Sequence, residues 1–387
     1  MSTIFQDTAV AFSTKSDSEL ERANFLFSMI KSEKLVKIGT AATNFAIKAH
    51  LPVEGLIRAT VFDHFCGGVT EKDCIPNIEK NFEKGVYSIL DYSVEGKENE
   101  KEFDNAMSKT LDTIAFGKEN KAIPFAVFKP TGFGRFALYQ KASSGDKFNA
   151  SELAEWEVIK NRFDRVCKAA HEADIPLLID AEESWMQDAA DDLVEEMMAK
   201  YNGDKAIVYN TLQMYRHDRL EYLKGLKERA DEIGFQIGMK VVRGAYMEKE
   251  RERARDLGYE SPICKDKAAT DDNYNACIEY MAENGMSIYA GTHNEASSIL
   301  LLEIMKKHHI EQKDSKFWFG QLYGMSDNIS FNLADHGYNV SKYVPFGPVK
   351  DVMPYLIRRA EENTSVAGQT NRELELIKKE LKRRKQK

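Results

Sequence analysis

The chain has 387 residues, 43% of them hydrophobic and 30% charged, and a formal net charge of -8. That is enough to bury a large core and too ordinary for a disordered chain, and the acidic balance argues against a general nucleic-acid binder, since no basic stripe precedes the extreme C-terminus. The five cysteines (Cys66, Cys74, Cys167, Cys264 and Cys277) are odd in number and show no CxxC spacing, so they read as reduced thiols with no metal site expected.

Residues 1–25 contain no continuous apolar h-region of a secretory signal, and nothing in the chain approaches the ~18 apolar residues of a membrane span. Asp7, Asp17, Glu19 and Glu21 contradict the acid-poor composition of a mitochondrial presequence, so the expected location is the cytoplasm. From Ser18 to about His50 apolar residues recur at three and four, and a mixed helical pattern continues to about Phe82 with Gly67-Gly68 as a break. Residues 1–82 are therefore predicted as an N-terminal helical arm.

After the arm, short apolar runs alternate with longer amphipathic segments. The runs are Val86–Ser93, Ile123–Lys129, Ile175–Asp180, Ala206–Tyr215, Ile237–Tyr246, Ser287–Asn294, Phe317–Gly324 and Tyr338–Phe346. Eight strand candidates, most followed by a helix candidate, predict an α/β fold of the (βα)8 TIM type over residues 83–372. Glu248 to Asp266 reads as an added excursion, and residues 373–387 as a basic tail. No Rossmann or Walker loop is present, because Gly132-Phe-Gly134-Arg135 lacks the third glycine and the opening helix.

Chemistry in such a barrel collects at the C-terminal ends of the strands. Those ends carry Lys129, Asp180, Gln213, the run Lys240 to Tyr246, Thr292-His293-Asn294, Tyr323 and Tyr343. Each alone has a plain structural explanation: a helix cap for Asp180, a satisfied core histidine for His293, a snorkelling lysine for Lys129. Their concentration at strand ends points to a site.

Beyond the last strand, Asp351 is a suitable helix cap, and from there the pattern stays helical past Glu362. Val352 and Leu356 form the docking stripe, so Tyr355, Arg358 and Arg359 lie near the side that faces inward. An isolated RRxxE is usually a solvated salt-bridge face. Placed inward, two guanidinium groups suit a small ligand carboxylate, which they grip in a two-point fork.

In this order the motifs LLIDAE (177–182), VVRGAY (241–246), GTHN (291–294) and YLIRRAEEN (355–363) resemble those of the proline dehydrogenase family, and the resemblance covers roughly residues 86 to 372. The segment after Tyr246 is similar to the monofunctional, eukaryote-like branch, and 387 residues leave no room for a fused aldehyde dehydrogenase. The resemblance implies a distorted (βα)8 barrel that binds FAD, oxidises L-proline to Δ1-pyrroline-5-carboxylate by hydride transfer to flavin N5, and passes electrons to a quinone. It further implies that Arg358, Arg359 and Lys129 hold the proline carboxylate and that Tyr246, Leu322, Tyr343 and Tyr355 wall the ring. Asp180 would neighbour the reacting centre with Lys240 as its catalytic companion; Gln213, Lys240, Arg243, Gly244, Ala245, Thr292, His293, Asn294 and Glu362 would fall on the FAD.

Two positions depart from relatives: Lys240 stands where many bacterial members have arginine, and Met247 where some have tryptophan. The first-strand loop is expected to offer Glu95 as an acidic gate. Tyr343, where hydroxyproline-preferring members have serine, points to proline over hydroxyproline as substrate. Two other readings are a barrel lyase with Lys129 or Lys240 as a Schiff base, and a catalytically inert barrel used as a binding scaffold. The basic run Lys378 to Lys387 offers peripheral contact with the inner face of a membrane.

Overall fold

The computed structural model describes residues 4–48, 54–93, 98–365 and 367–386; at 33, 42–48, 54, 56, 59, 360–365 and 367–369 it describes the backbone alone. Glu95 and the side chain of Glu362 thus lie outside the described residues.

All eight strand candidates form strands: β1 (Val86–Tyr92), β2 (Ala126–Phe128), β3 (Leu177–Ile179), β4 (Val208–Gln213), β5 (Gly238–Val242), β6 (Ser287–Gly291), β7 (Phe317–Leu322) and β8 (Val340–Phe346). They make one sheet in the order β1-β8-β7-β6-β5-β4-β3-β2, nearly closed into a barrel, with helices between strands. β1 runs parallel to β8 with Val86 opposite Val340, and β4 runs parallel to β5 with Gln213 opposite Val242. Every residue of β4 and β8 is buried, as expected of parallel strands covered on both faces.

Local chemistry sets the helix limits. Asn149 and Glu152 form a reciprocal capping box at the start of Ala150–Ala173. Glycines at positive φ end two others, Gly234 after Arg219–Ile233 and Gly258 after Met247–Leu257. At the N-terminal ends of the strands, fully buried Asn202 accepts from Ile207 N (3.0 Å) and Val208 N (2.8 Å) and donates to Val208 O (2.8 Å) and Gln236 O (2.9 Å). One amide thereby satisfies four backbone groups on the face of a barrel that serves stability.

The chain packs as two compact units, residues 1–95 with 320–387, and residues 96–319. In the first unit Leu20, Phe27, Phe62, Phe65, Val352, Leu356, Leu376 and Ile377 share one core. The helix after β8 starts at Met353, with Asp351 in the turn that precedes it. Residues 373–385, a basic and helical run in the sequence, belong to the helix Ala367–Lys385, with Leu374, Leu376 and Ile377 buried. Arg384 is spent internally, on Asp17 Oδ1 (2.8 Å), Lys15 O (2.8 Å) and Phe12 O (2.9 Å).

Candidate active site

In the second unit, Lys129 follows β2, Asp180 follows β3, and Lys240 sits in the middle of β5. β2 and β3 are neighbours and β5 lies one strand beyond, past β4, and the three residues meet. Lys129 Nζ donates to Asp180 Oδ2 at 2.6 Å, and Lys240 Nζ donates to Asp180 Oδ1. Burial alone would raise the Asp180 pKa; the two ammonium groups outweigh it and hold the carboxyl down at about 2. Asp180 therefore stays ionised at every pH at which the protein would work. It caps no helix, because the next one, Ser184–Tyr201, has Glu183 at its N-cap.

A second layer of hydrogen bonds fixes the strand-end loops. Glu182 accepts from Thr131 N (2.9 Å) and Thr131 Oγ1 (2.7 Å), its backbone oxygen accepts from Gln213 Nε2 (2.6 Å), and its N–H donates to Gln187 Oε1 (2.8 Å). Burial pushes the Glu182 carboxyl up to about 7 against those Thr131 bonds. Glu182 was not singled out from the sequence as a site residue although it ends the quoted LLIDAE motif; only tertiary burial sets it apart.

Arg243 is clamped on three sides. Its Nε donates to Asp271 Oδ1 (2.7 Å), one terminal nitrogen to Thr292 Oγ1 (2.8 Å) and the other to Ser297 Oγ (3.0 Å), and the guanidinium lies 4.6 Å from the Tyr274 ring centroid. The next residue, Gly244, has φ +127° and leaves no room for a side chain, since a Cβ would meet the Tyr215 ring at 2.5 Å. Gly244 and Ala245 are exposed. The β5 end is thus a ledge of bare backbone beside a rigidly held cation. Asn294 caps the helix Glu295–Lys307 by accepting from Ala296 N (2.9 Å) and Ser297 N (3.2 Å), so its side chain already has a structural task. Thr292 is buried and His293 half-buried.

Leu322, Tyr343, Tyr355, Arg358 and Arg359 belong to the first unit. Tyr343 and Tyr355 are buried, Leu322 is half-buried, and Tyr323 N donates to Tyr343 O at 2.8 Å. Val352, Met353, Tyr355 and Leu356 anchor the Met353–Ser365 helix in the core, while Arg358 and Arg359 are half-buried, with the Arg359 guanidinium 5.3 Å from the Tyr355 ring centroid. This agrees with the docking stripe read from the sequence. Tyr323 instead faces a cavity of about 240 Å³ in the same unit, among Lys15, Arg22, His64, Asp327 and Glu373. There Lys342 of β8 pairs with Asp327 at 2.8 Å, and burial holds His64 down at about 3 and pushes Glu373 up to about 7.

The donor set of the second unit fits a flavin nucleotide. A bare ledge at Gly244 and Ala245 admits a flat ring system, and Arg243, Lys240, Gln213, Thr292 and His293 are donors of the kind that rings and phosphates take up.

The family model described as "Proline dehydrogenase" matches residues 74–372. A carbapenem antibiotics biosynthesis protein, CarD, of Pectobacterium carotovorum is 34% identical, covering 86% of each chain. Mitochondrial proline dehydrogenase 1 of Dictyostelium discoideum is 31% identical over 98% of this chain and 74% of that protein. Among solved structures, proline utilization A of Bdellovibrio bacteriovorus aligns with a TM-score of 0.71 at 21% identity. That alignment covers 94% of this chain and 39% of that one, so this chain spans well under half of the larger protein.

Proposed function

Because this chain belongs to the proline dehydrogenase family, we propose that it oxidises L-proline to Δ1-pyrroline-5-carboxylate with bound FAD and hands the electrons to a quinone. When bound, the flavin supplies the two-electron acceptor. The chain's own residues bind, orient and set the field. The observation that carries the reading is the Lys129–Asp180–Lys240 cluster, two ammonium groups held on one carboxylate.

Asp180 fixes both lysines in place. Lys129, the more exposed of the two with 20% of its side chain accessible against 8% for Lys240, would turn toward the proline carboxylate, and Lys240 toward the flavin. Arg358 and Arg359 would complete the carboxylate grip, and Tyr246, Leu322, Tyr343 and Tyr355 would exclude water from the ring. Gln213, Arg243, Gly244, Ala245, Thr292, His293 and Asn294 would cradle the flavin, with Glu362 beside them.

Magnitudes decide what Asp180 does. An efficient general base has a pKa near the working pH, and at about 2 this carboxylate is a poor proton acceptor. Its role is to hold two cations and supply negative potential. Glu182 titrates at a suitable pH, but both its oxygens are already engaged by Thr131. Proline therefore has to enter with its amine already deprotonated or shed the proton to solvent, which predicts kcat/KM rising with pH.

The name of the Pectobacterium relative states a pathway and gives no reaction, so it does not compete with this chemistry. Among the described residues no helix is long and apolar enough to cross a membrane, and a quinone would be met by peripheral contact, for which the basic face of Ala367–Lys385 remains the candidate. The test is direct. Purified protein should show flavin absorbance that L-proline bleaches without oxygen, with a product two hydrogens lighter by mass spectrometry. Colourless protein that cannot be reconstituted with FAD overturns the proposal and revives the Schiff-base and scaffold readings.

A further inference from the structure

The excursion after β5 is fastened to the loop that carries Asp180, and one buried carboxylate makes the joint. Glu250, in the helix Met247–Leu257, is fully buried. It accepts from Ser184 N (Oε1, 2.6 Å) and from Ser184 Oγ (Oε2, 2.6 Å). Ser184 opens the helix Ser184–Tyr201, whose N-cap Glu183 contributes no side-chain cap of its own. A residue sixty-six positions away thus satisfies that helix start. Around this joint Lys249 pairs with Glu183, and the Arg253 guanidinium lies 4.6 Å from the centroid of the Trp185 ring.

Tyr246 stands one helical turn before Glu250, and Glu250 N donates to Tyr246 O at 2.9 Å. The backbone of Tyr246 is therefore rigidly tied to the carboxylate. Upstream, Gly244 lies against the Tyr215 ring, Tyr215 N donates to Arg243 O at 2.7 Å, and Met214 N to Val242 O at 2.8 Å. On the other side of the joint only three residues separate Asp180 from Ser184. The far end of the excursion is held as well, by an antiparallel bridge between Arg216 and Ile263. Tyr246 thus sits in a short segment fixed at both ends, and its distance from Asp180 depends on the Glu250–Ser184 contact.

We propose that Glu250, acting through Ser184, is a positioning residue that sets Tyr246 against Asp180 and so determines how tightly the ring of proline is enclosed. The inference rests on the reading above in which Tyr246 walls the substrate. A carboxylate suits this task because its two oxygens accept the backbone N–H and the hydroxyl of the same residue, which fixes orientation as well as distance. The competing explanation is that Glu250 only caps Ser184–Tyr201, in which case its loss lowers stability and leaves substrate binding alone.

A double-mutant cycle separates the two. Glu250→Ala, Tyr246→Ala and the double variant are assayed with L-proline at full flavin occupancy, with bound flavin measured by absorbance and Tm recorded beside kinetics. The expected result for Glu250→Ala is a KM raised ~10-fold with kcat within ~2-fold, and no further rise when Tyr246 is already alanine, because contacts that act as one unit are not additive. Glu250→Gln, which keeps one acceptor oxygen, should fall between wild type and alanine. Should Glu250→Ala fail to fold, Ser184→Ala removes only the hydroxyl bond and takes its place in the cycle.

Fully additive effects, or a lowered Tm with unchanged KM, overturn the proposal. If Tyr246→Ala itself leaves proline kinetics unchanged, the substrate-wall reading has failed and this inference with it. If Tyr246→Ala raises KM while Glu250→Ala and Ser184→Ala do not, the wall stands and only the positioning role is lost.

Discussion

Two buried lysine–aspartate clusters draw lysines from the strands of this protein, and they differ in stoichiometry. In the first unit Lys342 meets Asp327 one to one at 2.8 Å, with 1% and 10% of the side chains accessible. In the second, Lys129 and Lys240 both donate to Asp180, with 20%, 8% and 13% of the side chains accessible. The one-to-one pair balances its own charge, with Asp327 also lining the cavity beside Tyr323. Two ammonium groups on one carboxylate, with some access to solvent, are in a position to meet an anion as well. Burial of a charge does not by itself mark a functional site; under the proposed function it is access that distinguishes the two clusters.

The largest effect that would break this contrast is on the matched pair. Asp327→Ala leaves Lys342 buried without its carboxylate and should cost about 3–5 kcal/mol of stability, with kcat of the folded fraction unchanged. Thermal unfolding beside specific activity checks it, and the double variant Asp327→Leu/Lys342→Met should recover much of the loss. A fall in kcat of the folded fraction would show that the two clusters are not different in kind.

Next in size is Arg359→Met, and with it Arg358→Met. If these arginines grip the same anion as Lys129, proline binding should weaken by about 2–5 kcal/mol, as for a desolvated charge pair that loses one partner. Steady-state KM at full flavin occupancy reads this out. A wild-type KM in both variants would assign them to the surface.

Asp180→Asn should lower turnover by ~10²-fold, the scale of one preorganised electrostatic contact, while Tm moves less than in Asp327→Ala. Stopped-flow flavin reduction measures the chemical step directly. The reverse order of the two Tm changes would make Asp180 the structural member.

Tyr343→Ser is expected to narrow the preference for proline over hydroxyproline, which an apolar wall sets at no more than ~100-fold. The ratio of kcat/KM for the two substrates decides. A wild-type protein that prefers hydroxyproline would overturn the assignment of substrate but not of chemistry.

The smallest effect concerns pH. The folded-state pKa of Glu182 is raised from 4.5 to about 7, so folding favours its protonated form. The stability it contributes is complete below the ordinary carboxyl value and is lost as pH rises to about 7. Glu182→Gln should flatten the fall of Tm across that window by a few degrees, leaving the part due to Glu373, which is raised in the same way. An unchanged slope would rule Glu182 out as a source.

The contrast was half legible in the sequence. The eight strands announced themselves because strands buried on both faces are short apolar runs, and residues at their C-terminal ends could be named without knowing which would touch. Asp180 with Lys129 and Lys240 was within reach for that reason. Glu182 and Glu250 were not, since each acts through partners 51 and 66 residues away and neither loop has a periodicity that reveals the contact. The C-terminal run was legible as basic and helical, but not its packing, because the dense lysine and arginine cover the regular spacing of Leu374, Ile377 and Leu381.

The packing of that last helix has a consequence for biosynthesis. The first unit joins residues 1–95 to residues 320–387, and Arg384 and Lys379 reach back to Asp17 and to the carbonyl of Gln6. On a ribosome that adds about 5–20 residues per second, the opening segment must wait for more than two hundred intervening residues before its partners exist. Residues 96–319 can condense during synthesis as a contiguous unit. Residues such as Leu20 and Ile30 share their core with Leu376 and Ile377, so a nascent chain stalled before residue 374 would lack that part of the packing and offer the surface to chaperones and proteases.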